Sequence, residues 1–119
     1  MHPQLEILLQ IQDLKSQRRD LTQAESERQV EEQEFRIDID EAVRRIDEKV
    51  AELEDELSPA VRSRYERIDT TRGRAVVPVI NGICYGCFVS IPTSLSSDVR
   101  SNDQIRHCDH CGRFIYVTS

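Results

Sequence analysis

The sequence is poor in the residues that build a large hydrophobic core. It has no Trp, aromatic residues occupy 5% of its 119 positions, and 32% of the positions are charged. One large core is therefore not expected, because big aromatic side chains supply much of the apolar area that such cores bury. The length allows one ordinary domain, or two small elements that each need outside help to stay folded.

The sequence also lacks a long apolar run. No stretch approaches the roughly 20 apolar residues that a membrane-spanning helix needs. The N-terminal segment has Glu6, Gln10 and Asp13 among its apolar residues and no basic stretch before them, which argues against a secretory signal. We therefore predict a cytoplasmic protein with no membrane insertion, where paired cysteines more often bind metal or do redox chemistry than form structural disulfides.

Gly, Pro and Asn are absent from residues 4–57. Their absence favours a long helix, since these residues mark turns and helix ends. Apolar residues recur there in steps of three and four, which is the heptad pattern of a coiled coil. The predicted seam contains Ile7, Ile11, Leu14, Leu21, Ile39, Val43, Ile46, Val50, Leu53 and Leu57. We predict residues 1–57 as a coiled-coil helical region and residues 58–119 as a second domain.

The two halves of the predicted seam mirror each other, with Ile7 matching Val50 and Ile11 matching Ile46. Antiparallel packing requires such symmetry. Two arrangements fit it: a helical hairpin that turns near Arg28, or a homodimer in which two unbroken helices pair antiparallel. The lack of turn residues near Arg28 favours the unbroken helix, whereas repulsion between Glu25 and Glu32 across the dimer favours the hairpin. The sequence leaves both open.

Charge is unevenly distributed along the chain. Up to Ser58 there are 8 Lys and Arg against 17 Asp and Glu, and from Pro59 onward there are 8 Arg against 5 acidic residues. The asymmetry indicates two parts with different partners. We interpret the acidic helical face as a solvated exterior. Because it forms no cleft that would shift carboxylate pKa values, we predict no enzyme activity and no small-molecule substrate.

A second helix is predicted to begin at Ser58-Pro59, because Ser caps helices well and Pro is tolerated at the first helical position. Its apolar stripe of Val61, Tyr65 and Ile68 should pack against the more C-terminal part of the chain. Five arginines on or just after this helix predict contact with RNA phosphates or with a partner. They are Arg62, Arg64, Arg67, Arg72 and Arg74. The alternative is that Arg62 pairs with Glu66 and that the other arginines are solvated.

All four cysteines lie in two C-x2-C pairs, CYGC and CDHC, separated by 20 residues. Two thiolates at this spacing can bind one side of a tetrahedral zinc ion. Gly86 within the first pair and Gly112 after the second fit turns that often need positive φ. We predict one structural Zn²⁺ in a zinc ribbon, bound by Cys84, Cys87, Cys108 and Cys111.

A redox pair and a catalytic zinc are the alternatives to a structural zinc site. Four thiolates fill the coordination sphere, which argues against catalysis. His107 and His110 lie beside the cysteines and are predicted at the surface. Short strands are predicted at residues 88–91, 104–107 and 113–117, with helical turns at residues 92–99. The predicted fold is mainly α with a small β element: a long N-terminal coiled coil, hairpin or antiparallel dimer, followed by a short helix and the ribbon.

From residue 58 to residue 117 the chain resembles the bacterial C4-type zinc-ribbon family. The resemblance lies in the stretches RYERI, GRAVVPV, GICYGC, IP and CDHCGR. It implies a coiled-coil hairpin with a C-terminal ribbon, zinc at Cys84, Cys87, Cys108 and Cys111, and membership of a group described as nucleic-acid-binding. The helical region here is much shorter than the usual arms of that family.

The resemblance also implies partners. Relatives are linked to an alternative sigma factor, to flagellar gene expression through messenger RNA, and to secretion-system components. Our leading hypothesis is a zinc-ribbon adaptor that binds RNA or a transcription component. One alternative is a protein-only scaffold for secretion or flagellar components. In a variant of it, an acidic tip could enter a basic channel of RNA polymerase; the tip consists of Glu25, Glu27, Glu31 and Glu32. The other alternative is a redox sensor that releases zinc on oxidation.

Overall fold

The computed structural model describes residues 1–28, 33–92 and 102–118, with the side chains of residues 24–28 and 33–37 left aside. Three helices precede a small sheet, so the protein is mainly helical, as the sequence predicts. The helices are α1 (Pro3–Arg28), α2 (Gln33–Asp55) and α3 (Pro59–Arg72). The strands are β1 (Val76–Ile80), β2 (Ile83–Cys84), β3 (Arg106–His107) and β4 (Phe114–Thr118).

Helices α1 and α2 pack against each other in opposite directions within one chain. Arg18 Nε contacts Asp47 Oδ1 at 2.8 Å, and the Ser58 N–H, just past α2, donates to Gln4 Oε1 at 3.0 Å. The two helices are therefore antiparallel, but the predicted register is wrong, since the mirror pairing would place Arg18 opposite Ile39. The acidic tip predicted between the helices lies outside the described side chains.

The buried face of α1 differs from the predicted seam. Leu5 and Leu8, which lie outside the predicted seam, are completely buried together with the seam residue Ile11, whereas the seam residues Ile7 and Leu14 are only partly buried. The reason is that α1 contributes to a core formed with α2, α3 and the sheet together, and such a helix buries a wider apolar stripe than a two-helix seam does. The other members of this core are Val50, Leu53, Leu57, Tyr65, Ile68, Ala75, Val76 and Phe114.

Helix α3 begins where its sequence predicts, at Ser58-Pro59. The Ser58 hydroxyl accepts a hydrogen bond from the Val61 N–H at 3.4 Å, and Pro59 occupies the first turn. Gly73 ends the helix at φ 82°, and its N–H donates to the Ile68 carbonyl at 3.2 Å. The predicted stripe is confirmed, because Tyr65 and Ile68 are buried in the core and Val61 packs against it.

The sheet has the strand order β2-β1-β4-β3, with β1 and β4 parallel at its centre. Strands β1 and β2 form a hairpin through Asn81 and Gly82, whose φ values of 51° and 77° are both positive, as in a type I′ turn. The sequence interpretation missed β1, since Pro78 lies inside it and Pro is normally confined to edge strands.

The predicted strands agree with the structure in part. Strands β3 and β4 correspond to the predictions at residues 104–107 and 113–117. The prediction at residues 88–91 is wrong, because that segment contributes only an isolated bridge between Ser90 and Ile83. The predicted helical turns at residues 92–99 lie, but for residue 92, outside the described residues.

The sheet separates two clusters of buried side chains. Val76 and Phe114 belong to the core shared with the helices, whereas Val77, Val79 and Ile115 form a second cluster with Cys84, Cys108 and Cys111. Alternation along a strand explains the division, since successive side chains point to opposite faces. The helical core therefore supports one face of the sheet, and the other face supports the cysteines.

Two amide side chains complete the central strands. Gln12 Nε2 donates to the Val76 carbonyl and Gln12 Oε1 accepts from the Val76 N–H, both at 2.9 Å. Asn102 does the same for Val117, donating at 2.8 Å and accepting at 2.7 Å. Each amide thus takes the place of a neighbouring strand.

No helix in the described part of the chain is long and apolar enough to cross a membrane.

Candidate metal centre

The two cysteine pairs form matching loops that extend from short strands. Cys84 ends β2 and Cys108 follows β3. In the first loop the Phe88 N–H donates to the Cys84 carbonyl at 2.7 Å, and in the second the Gly112 N–H donates to the Cys108 carbonyl at 2.8 Å. The Cys84 and Cys108 N–H groups donate back across their loops, to the carbonyls of Val89 and Arg113. Sheet pairing brings both loops together.

The four sulfur atoms are placed to hold one ion. All lie within 4.8 Å of one another, with Cys84 Sγ 3.9 Å from Cys111 Sγ and Cys87 Sγ 3.7 Å from Cys108 Sγ. Zinc bound by thiolates at about 2.3 Å in a tetrahedron separates its sulfurs by about 3.8 Å. A disulfide would require about 2 Å. The donor set and its spacing fit one structural zinc ion.

The environment of the sulfurs sets their protonation without metal. Burial raises the pKa of the Cys84 thiol to about 12 and also raises the pKa of Cys108. Burial opposes ionisation of Cys111 too, but hydrogen bonds from the backbone and side chain of Arg113 and from the thiols of Cys108 and Cys84 together outweigh it and lower the pKa of Cys111 to about 7. Metal binding must therefore displace protons from buried thiols.

The backbone of the two loops corrects one prediction about glycine. Gly112 has φ 79°, as predicted, but Gly86 is not among the residues with positive φ. The equivalent position in the first loop is Phe88, which follows Cys87 as Gly112 follows Cys111 and has φ 61°. Gly86 is required for space instead. A Cβ there would lie 2.8 Å from Arg113 Cδ and 3.2 Å from Val77 Cγ2.

The histidines beside the cysteines are exposed, as predicted. Within the described residues, the cluster that could hold a metal contains the four cysteines and neither His107 nor His110. Four sulfur ligands complete a tetrahedral site. The sequence interpretation missed Arg113, although its position directly after CDHC-Gly112 is the one signal that could have drawn attention to it.

The five predicted contact arginines fall into two groups. Arg62 is held by acidic side chains, at 3.1 Å from both Asp55 and Glu66 and at 3.8 Å from Glu54. The alternative interpretation of Arg62, in which it pairs with Glu66, is thus confirmed. Among the described residues, no ion pair involves Arg64, Arg67, Arg72 or Arg74.

Comparison with known families decides the nature of the metal centre. The model of the C4-type zinc ribbon domain matches residues 83–115, which include all four cysteines. The chain carries a C4-type zinc ribbon. The matched span runs from β2 to the start of β4, so the ribbon is the part of the sheet that holds the cysteine loops.

A wider comparison extends the similarity beyond the zinc ribbon. The chain is similar to the solved structure of CT398 from Chlamydia trachomatis, with a TM-score of 0.54 and 28% sequence identity. The alignment covers 87% of this chain and 45% of that chain, so this protein spans less than half the length of CT398. No curated protein matches the sequence.

Proposed function

We propose that the protein is a zinc-ribbon adaptor that binds single-stranded RNA through the end of α3 and the loop after it. The observation that supports the proposal most is the set of arginines without acidic partners among the described residues: Arg64, Arg67, Arg72 and Arg74. Arg67, Arg72 and Arg74 are exposed, and Arg64 is half-buried. An arginine fork is well suited to phosphate oxygens, since it can donate two parallel hydrogen bonds.

Arg62 is left out of the proposed contact surface. Its guanidinium contacts three carboxylates, and binding a phosphate would require it to leave them. We assign it the role of joining α3 to the end of α2. Without Arg62, the proposed contact surface consists of Arg64, Arg67, Arg72 and Arg74, and it is called the basic surface.

Arg113 connects this basic surface to the zinc ribbon. Its Nε donates to the Arg74 carbonyl at 2.8 Å and its Nη2 to the Arg72 carbonyl at 3.4 Å. Residues 72–74, at and just after the end of α3, are called the arginine loop. This loop therefore has a fixed position beside the first cysteine loop, where Arg113 packs on Gly86. Removing the zinc should weaken RNA binding by releasing this arrangement.

Local charge has to supply the affinity, because the protein as a whole carries a formal charge of −6. Four thiolates with one Zn²⁺ add two further negative charges by ligand count. Long-range attraction to RNA is thus absent, and short-range contacts from the unpaired arginines must carry the binding.

The test is a salt titration of the zinc-loaded protein with a labelled single-stranded RNA. The variant Arg64→Ala/Arg67→Ala/Arg72→Ala should bind more weakly, and its salt slope should fall by about 2, since each lost phosphate contact contributes about 0.7. Arg18→Ala/Arg44→Ala/Arg45→Ala is the control, because it removes the same charge from the helical pair. Equal losses in both variants would contradict the proposal.

The competing function is a protein-only scaffold that binds a sigma factor, a secretion component or a flagellar component through α1 and α2. Purification of the protein with its partners, with and without nuclease, separates the two. RNA binding predicts that partners are lost after nuclease treatment. Partners that persist after nuclease and depend on α2 would support the scaffold.

The proposal includes three further expectations. We expect α1 and α2 to form a coiled-coil hairpin in a monomer, which light scattering tests through a mass of 13.8 kDa. We expect a cytoplasmic location, since free thiols are favoured in a reducing compartment. We expect no enzyme activity, because four sulfur ligands leave zinc without an open position.

A further inference from the structure

The conformation of Phe88 is unusual for its residue type. It has φ 61°, a left-handed backbone that bulky side chains rarely adopt. The matching residue of the second loop is Gly112, at φ 79° and with the same hydrogen bond to the first cysteine of its pair. Glycine would therefore suit the first loop without strain, and phenylalanine does not help to form it.

Burial does not explain Phe88 either. Its side chain is 72% exposed, the largest exposure among the big apolar residues described. Its aromatic neighbour is Tyr85, 44% exposed, with ring centroids 5.7 Å apart and planes inclined at 44°. The first cysteine loop thus exposes two aromatic rings to solvent. A strained backbone that displays an exposed ring points to a role in binding.

The aromatic pair lies beside the arginine loop. Gly86, between Tyr85 and Cys87, is in contact with Arg113, whose guanidinium holds the carbonyls of Arg72 and Arg74. The side chain of Arg113 therefore connects the loop that carries the exposed rings to the loop that carries the unpaired arginines. Proteins that bind single-stranded nucleic acid combine these two features, since bases stack on aromatic rings while cationic groups contact the phosphates.

We propose that Tyr85 and Phe88 form a base-stacking platform for single-stranded RNA whose phosphates lie along the arginine loop. This inference rests on the proposed function and adds to it the side chains that contact the RNA bases. A purely apolar protein partner would not require the neighbouring unpaired arginines. The adjacent positive charge favours a polyanion with flat, uncharged bases, which is single-stranded nucleic acid.

The platform makes a contribution that differs from that of the arginines. Stacking depends weakly on ionic strength, whereas phosphate contacts determine the salt slope. Removal of the Phe88 ring should therefore lower the affinity for RNA at every salt concentration and leave the salt slope of binding unchanged. Loss of an arginine should change the slope. The two parts of the surface can thus be tested separately in one protein.

The experiment measures fluorescence anisotropy of an unstructured 12-nucleotide RNA with the full-length, zinc-loaded chain at several salt concentrations. Phe88→Gly is the main variant, because glycine suits the left-handed backbone and should preserve folding and zinc content. We expect binding about 5-fold weaker or more, with the wild-type salt slope. Phe88→Leu should lose nearly as much, since leucine is apolar but has no aromatic face. Val89→Ala, on the same loop, is the control and should bind normally.

A second probe is an abasic oligonucleotide of the same length. Wild type should bind it at least as weakly as Phe88→Gly binds ordinary RNA, and Phe88→Gly, which keeps Tyr85, should lose less affinity than wild type when the bases are removed. Normal binding by Phe88→Gly, with weak binding by the triple arginine variant, would overturn the platform and leave the proposed function standing. Absence of RNA binding by wild type would overturn both. Wild-type RNA affinity in Phe88→Leu would overturn base stacking on this ring, and a change of oligomeric state in Phe88→Gly would assign the rings to a contact between copies of the chain instead.

Discussion

Substitution of Gln12 tests whether the helices and the zinc ribbon form one folding unit. Gln12 lies on α1, and its amide makes two hydrogen bonds of 2.9 Å to the backbone of Val76, which is completely buried. In Gln12→Ala both backbone groups of Val76 lose their partners. An unsatisfied buried polar group costs about 1–3 kcal/mol. Two such groups lose their partners here, but their hydrogen bonds are only partly buried and water can replace part of them. We therefore expect Gln12→Ala to lower the free energy of unfolding by about 2–4 kcal/mol.

The matched control is Gln17→Ala on the same helix. Gln17 is exposed, and within the part of the chain that the structure describes its side chain bonds to Asp13 alone, at 3.1 Å, so its removal should change the free energy of unfolding by less than about 0.5 kcal/mol. Urea unfolding of zinc-loaded protein, followed by far-ultraviolet circular dichroism and by tyrosine fluorescence, gives both values. Gln12→Ala should shift both signals together. A stability within about 0.5 kcal/mol of the control would refute the reasoning.

Five further substitutions test particular contacts around Gly112, Gly86 and Tyr65. Gly112→Ala should lower stability by about 1–2 kcal/mol because of its positive φ, and Gly112→Asn should restore part of it, as thermal unfolding will show. Gly86→Ala should displace Arg113 and cost about 1–3 kcal/mol, unless Arg113→Ala in the same chain removes the penalty. Burial raises the pKa of Tyr65 above 10.0, so the unfolded chain loses this proton first and stability falls as pH rises past 10. Tyr65→Phe should flatten that alkaline decline, and an unchanged decline would contradict the burial argument.

The sequence predicts the metal centre well because zinc binding depends on local spacing. Two C-x2-C pairs are sufficient to place four sulfurs around one ion, and the structure brings these sulfurs together at 3.7 to 3.9 Å in the measured pairs. The start of α3 is predictable for the same reason, since capping by Ser58 and Pro59 involves only neighbouring residues. Local rules therefore succeed wherever local contacts decide the conformation.

Contacts between distant segments explain what the sequence does not predict. The heptad pattern treats α1 as one side of a two-helix seam, whereas Leu5 and Leu8 are buried by a core that also includes α3 and the sheet. Strand β1 contains Pro78 and is recognisable only once β4 lies beside it. The roles of Gln12 and Asn102 have no sequence signature, since an amide that replaces a strand looks like any polar residue.

We expect one zinc ion, held by four cysteines, to organise the C-terminal sheet. Native mass spectrometry of the purified full-length protein tests it most directly. The account predicts a 13.8 kDa chain carrying one zinc ion, with the ion lost from Cys84→Ser/Cys108→Ser. A native chain without bound metal, or a double variant that keeps its zinc, would contradict it.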